Sequence, residues 1–179
     1  PAGINDHRTV GNLLMQIQQN PSSEIESLDI ELKALQPLDG QYERQIAKAI
    51  MALANHGGGI LVVGIQWQSS TQSYVESPED GAALKTWEQT RLIDKLSKYA
   101  DPVPSLSLIR SGRFPAVVVE SHGATPVIAV RDSGDEISKG AIYLRRRGPK
   151  SEQPRTAAEW APLVRRCATY DRHSLLGEI

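Results

Sequence analysis

The sequence predicts a single α+β domain, a mixed β-sheet flanked by helices. Three observations lead there. Apolar residues recur at helical spacing mainly in the first half of the chain. Alternating or short apolar runs of strand length dominate the second half. No segment between them has the composition of a domain boundary. With 179 residues the chain is long enough for one real hydrophobic core.

The elements follow in order. Residues 9–19 read as an amphipathic helix, with Leu13, Leu14 and Ile17 on one face and Thr9 as N-cap, broken by Asn20-Pro21-Ser22-Ser23. Leu28, Ile30 and Leu32 alternate with Asp29, Glu31 and Lys33, the pattern of a half-buried strand whose charges face solvent. Residues 41–54 form the strongest helix, carried by Tyr42, Ile46, Ile50 and Leu53, and Gly57 ends it. Residues 60–65 are almost wholly apolar and predict a central strand covered on both faces.

Residues 66–83 are polar and rich in turn formers, which predicts a long loop. Leu92, Ile93 and Leu96 predict a helix over 87–99. Residues 106–109 and 116–120 predict a hairpin around Ser111-Gly112, followed by strands at 127–130 and 141–146. Thr156 opens the last helix, with Glu159 placed for a capping box and Trp160, Leu163, Val164 and Cys167 as its apolar face. The expected division is an N-terminal helix and linker over 1–22, the main domain over 23–170 and a fraying tail over 171–179.

Composition narrows the function. Hydrophobic residues at 40% and charged residues at 23% predict a globular, soluble chain. The formal net charge is −1, so any polyanion-binding charge has to be local. One cysteine, Cys167, excludes an internal disulfide. Four histidines without metal-ligand spacing argue against a zinc site. No apolar run reaches the roughly 20 residues of a membrane span, and no secretory signal is visible, so a cytoplasmic location is expected. The chain begins at Pro1, as a processed product or a piece of a longer protein would. Other domains of a longer chain are therefore expected as partners, and an exposed sheet edge allows a homo-oligomer.

The densest charge is Arg145, Arg146, Arg147, Lys150 and Arg155, with Glu152 the one acid among them. Cations this close can neutralise phosphates. Alternation sends Arg145, Arg147 and Tyr143 to one face, where Tyr143 can stack on a base, and Arg146 to the other. The turn Asn55-His56-Gly57-Gly58-Gly59 offers backbone amides. It follows the end of a helix, where the dipole is negative, so it is expected to be a scaffold turn and not a phosphate cradle.

Glu26-Ser27 with Glu31-Leu32-Lys33, then Ala52-Leu53-Ala54-Asn55-His56-Gly57-Gly58-Gly59, Gly64-Ile65 and Ile142-Tyr143-Leu144-Arg145 occur in that order. This series resembles the AlbA-2 domain shared by Schlafen proteins and many bacterial regulators, over about residues 24–160. The resemblance implies an α+β fold and DNA or RNA as partner, in a regulator or defence-type protein. Lys33, Tyr143, Arg145, Arg146, Arg147 and Lys150 are then the expected contacts.

In some Schlafen members the resemblance further implies metal-dependent RNA cleavage, here with Glu26 and Glu31 as catalytic and metal-binding carboxylates. These two residues converge only if the chain bends near Ser27. The third acid of such nucleases falls at Gln66 or Trp67, and neither is acidic. The expectation is therefore binding without a cofactor. Mg²⁺ or Mn²⁺ enters only in the nuclease alternative, and a protein-interaction or oligomerisation module is the third reading.

Overall fold

Two features organise the molecule: a strand buried on both faces, and a helix packed along one of them. The computed structural model describes the backbone of residues 6–21, 25–146 and 150–176, and the side chains of 10–21, 25–146 and 150–170. The elements are α1 (Asp6–Gln19), β1 (Ile30–Lys33), α2 (Gly40–His56), β2 (Gly59–Val63), β3 (Ile65–Gln68), β4 (Ser73–Glu76), α3 (Gly81–Thr86), α4 (Gln89–Leu96), β5 (Ala100–Asp101), β6 (Leu106–Ser111), β7 (Phe114–Val119), β8 (Ile128–Ala129), β9 (Leu144–Arg146), β10 (Lys150–Glu152) and α5 (Ala157–Leu176). This is the α+β domain with a mixed sheet that the sequence predicts.

The main sheet has the order β1-β2-β7-β6. β1 runs parallel to β2 through the α2 crossover, while β7 pairs antiparallel with both β2 and β6. Alternation divides the sheet between two cores. Leu61 and Val63 join Val117, Val119 and the α2 residues Ile46, Ile50 and Leu53 on one face. Ile60 and Val62 join Ala116, Val118 and the α1 residues Val10, Leu13 and Ile17 on the other. β2 is buried at every residue, as its unbroken apolar run requires.

The triglycine segment is built for close approach. A Cβ on Gly59 would lie 2.4 Å from the Asp29 carbonyl oxygen, which accepts the Ile60 amide at 2.8 Å. Gly58 has φ +94, and a Cβ there would meet the Val119 carbonyl oxygen at 2.8 Å. Bulk is excluded where α2 turns into the sheet, in keeping with a scaffold turn.

Several expectations change. Residues 66–83 are not a loop. Gly64 at φ +108 releases the chain from β2, and Ile65–Gln68 pairs with Ser73–Glu76 as a hairpin. Ile65 and Tyr74 anchor it in the second core, and Trp67 meets Tyr74 edge-on at 5.0 Å. Its solvent face is polar, which hid the strands. The helix expected over 87–99 is α4, preceded by the separate α3, whose first turn is capped by Asp80. Trp87 lies between them, buried, its indole N–H donating to the Gln36 carbonyl at 3.0 Å.

Thr9 is inside α1, not ahead of it, and its side chain lies outside the described ones. In α5 the capping box forms as expected between Thr156 and Glu159. The docked face differs: Leu163 is buried, Cys167 is half-buried and Val164 is 60% exposed. The backbone stays helical to Leu176, across the start of the expected tail.

Candidate nucleic-acid interface

The β9–β10 hairpin stands beside the C-terminal end of α2, and α5 closes the other side. Two side chains set this arrangement. Asn55 donates through Nδ2 to the Val127 and Tyr143 carbonyls at 2.9 and 3.1 Å and accepts the Val127 amide at 2.8 Å. It thus ties the approaches to β8 and β9 to the last turn of α2. Arg166 donates to the Asn55 carbonyl, one of the helix-end groups left without an intrahelical partner. Burial lowers the Arg166 pKa from its ordinary value.

Alternation along β9 sends Arg145 inward and Arg146 outward. The Arg145 guanidinium is wholly buried. It pairs with Glu31 and donates to the carbonyls of Leu28, Ser27 and Ile30 and to the Ser151 hydroxyl. Every nitrogen of its fork has a partner within the protein, so the expectation of an exposed phosphate-contacting Arg145 is corrected. Glu31 is corrected with it: it is 3% exposed and not on a solvent face. β1 pairs Glu31 with Leu61, which points it at the α2 side of the sheet, where Arg145 meets it. Lys33 also pairs with Glu31 and keeps a third of its side chain exposed.

Tyr143 is buried at 3%, its hydroxyl accepting the Ser138 amide at 2.8 Å, so it offers no ring face for stacking. Lys48 lies 5.3 Å from that ring's centroid. Arg146 stays near the surface between Glu152 at 2.7 Å and Glu159 at 2.6 Å. Amide hydrogen bonds from Arg155, then the nearby Arg146, are among the causes holding the Glu159 carboxyl below its ordinary pKa, so it persists as a counter-ion. Lys150 is exposed and has no carboxylate partner among the described residues. Arg147 lies outside the described residues.

The two expected metal carboxylates do not make a cation site with a third acid. Glu26 Oε1 accepts the Leu32 amide at 3.0 Å. Burial raises its pKa, with Glu31 adding to the effect. Glu31 is engaged by two cations. Gln66 and Trp67 project from the exposed hairpin. Among the described residues no group of three or more His, Cys, Asp or Glu side chains is placed to hold a metal ion. These residues do not fit a catalytic cation.

What β9–β10, α2 and α5 enclose is a cleft of about 820 Å³. Its most buried lining joins the apolar Leu144 and Leu163 to Asn55 and Arg145, whose polar groups are taken up within the protein, and Leu28 and His56 line it half-buried. Burial holds the His56 pKa below 6.5; Asp29 opposes the shift, and Arg145 and Arg166 add to it. The rim carries Arg146, Lys150 and Arg155, with Arg155 side chain 73% exposed. Among the described residues, four cations, one of them the buried and paired Arg145, and two carboxylates line this cleft. A second groove of about 370 Å³, behind the hairpin, carries three lysines and three glutamates and is balanced. The first is therefore the candidate site.

Arg155, Leu28 and Leu163 were not among the expected contacts. Arg155 does have a sequence signal, since it belongs to the dense cationic segment between residues 145 and 155.

No protein-family model matches the chain, and no curated protein matches it. Among solved structures, the DIP2311 protein from Corynebacterium diphtheriae superposes with a TM-score of 0.55 at 15% identity, over 86% of this chain and 30% of that one. The present chain thus spans under a third of that protein, and the likeness concerns the fold alone. The N-terminal domain of a putative ATP-dependent DNA helicase RecG-related protein from Nitrosomonas europaea gives a TM-score of 0.45 at 19% identity, over 81% of this chain and 92% of that one. Among the described residues no helix is long and apolar enough to cross a membrane.

Proposed function

We propose that this chain is a nucleic-acid-binding domain that holds phosphates on the cationic rim of the cleft between β9–β10 and α5. The observation that carries the reading is the exposed rim of that cleft: Arg146, Lys150 and Arg155 stand against Glu152 and Glu159 among the described residues, in a chain of formal net charge −1. Lys150 and Arg155 are the exposed heads, Arg155 lying 3.6 Å from Glu152 with its side chain 73% exposed. Arg146, set between Glu152 and Glu159, is oriented by them and contributes less net charge. The order of the Glu-Ser, Ala-Asn-x-Gly-Gly and Tyr-x-Arg elements, which resembles AlbA-2 domains, supports the same reading and a place in a regulator or defence-type protein. Phosphate contacts position a strand without reading its sequence, so weak sequence preference and an affinity that falls as salt rises follow. No cleavage step is included, because Glu31 is held by Arg145 and Lys33.

The test is fluorescence anisotropy with labelled DNA and RNA, single-stranded and duplex, on Lys150→Glu/Arg155→Glu. Both side chains are exposed, so the fold is expected to survive. Affinity should fall at least tenfold for every nucleic acid the unaltered chain binds. Equal affinity in the double variant would show that the rim is not the interface.

A further inference from the structure

We infer that the unit this cleft takes is a single unpaired nucleotide, entering base first, and not the backbone of an intact duplex; the inference rests on the nucleic-acid reading above. Its basis is how the cleft changes from bottom to top. The buried part of its lining is Leu144 and Leu163 with Asn55 and Arg145, whose polar groups are already satisfied within the protein; Leu28 is half-buried above them, and Lys150 and Arg155 are exposed at the mouth. A nucleotide has the same polarity, with an apolar-faced base at one end and an anionic phosphate at the other. A volume of about 820 Å³ lies within the roughly 300–1,000 Å³ of small-molecule sites.

A duplex presents its bases only inside grooves. Reading them takes a convex helix or ribbon about as wide as the 12 Å major groove. The floor of a concave cleft can be reached only by a base out of the stack. His56 also lines the cleft, half-buried, and offers a ring nitrogen to a base edge.

The number of free cations sharpens the inference. Arg145 is saturated by Glu31 and main-chain carbonyls, and Arg146 is held by two carboxylates. Among the described residues Lys150 and Arg155 remain, the latter 3.6 Å from Glu152 but largely exposed. Two heads match the two phosphates that flank one nucleotide. Single-strand binding that neutralises two phosphates should give a slope of log K against log salt of about −1.4.

The experiment compares a labelled ten-nucleotide single strand, the same strand in a blunt duplex, and that duplex carrying a one-nucleotide bulge. Single-strand and bulged probes should bind at least tenfold more tightly than the blunt duplex, with the shallow slope given above. Leu28→Glu puts a carboxylate on the half-buried lining and should remove most of that preference. Leu28→Trp, which fills the cleft and stays apolar, should do the same if the glutamate variant fails to fold. Blunt duplex bound as tightly as single strand overturns the inference and leaves the rim reading standing. So does an unchanged single-strand affinity in a folded Leu28 variant. Failure of every probe to bind the unaltered chain overturns both.

Discussion

Arg145 shows how a residue's neighbours decide whether its charge reaches solvent. Its guanidinium is wholly buried, and the Glu31 side chain beside it is 4% exposed. Desolvating two such groups is costly, and their attraction with the surrounding hydrogen bonds offsets the cost only while both are present. Glu31→Gln or Arg145→Met alone should destabilise the fold by about 3–5 kcal/mol, while the double change should cost clearly less than the sum. Urea denaturation of the three variants measures that cycle. Additive losses would mean that the pair is not coupled. Glu26 behaves in the opposite way. Burial raises its pKa, so at neutral pH its ionised form works against folding, and Glu26→Gln keeps an acceptor for the Leu32 amide. The midpoint of that variant at pH 7 should be higher than that of the unaltered chain. A large drop would assign Glu26 an interaction that needs its charge.

The helix-to-strand turn and the last helix carry the consequences at the scale of elements. Ala52 to Gly59 was legible as a helix end entering a sheet, because glycine and alanine at these spacings have few other uses. The distances give the reason: a side chain at Gly59 would overlap the Asp29 main chain. Gly59→Ala should therefore cost about 3 kcal/mol or more, seen as a lowered thermal midpoint, whatever its effect on ligands. An unchanged midpoint would show that the β1 approach yields easily.

α5 was legible in its start and not in its docking. Thr156 and Glu159 lie three residues apart, a local signal, and the capping box is there. The helix docks through Leu163 and Arg166, a helical step of three, and Arg166 reaches a carbonyl more than a hundred residues earlier in the chain. Arg166→Gln should increase amide exchange across α5 more than across β2 or β7. Uniform protection in that variant would argue that Leu163 alone holds the helix.

Across the whole molecule, two histidines make stability depend on pH. Burial is the leading cause that lowers His56 and His122 below 6.5, and Arg166 contributes at both. The unfolded chain then binds more protons than the folded one just below that value. Stability is full above about pH 6.5 and declines as the pH falls through the lowered folded values. Glu26, with its raised pKa, acts in the other direction, adding stability as the pH falls through its folded value towards 4.5. Urea midpoints between pH 7 and 5 should fall for the unaltered chain and flatten in His56→Gln/His122→Gln. An equal slope in both would place the titration elsewhere.

The class of fold, the buried central strand, the α2 helix, the β6–β7 hairpin and the capped start of α5 are all readable in the order of residues. Each is a local pattern: a period, a run of apolar residues, a glycine or a cap. The same order places a cationic segment between residues 145 and 155. Which of those cations face solvent depends on how the elements pack. Arg145 and Tyr143 share a strand face that the fold turns toward β1 and α2, whereas Lys150 and Arg155 lie where the hairpin and α5 part. The polar β3–β4 hairpin was hidden for a related reason, since its one buried face is supplied by residues distant in sequence. Charge is a property of composition, but exposure depends on which elements the fold brings together.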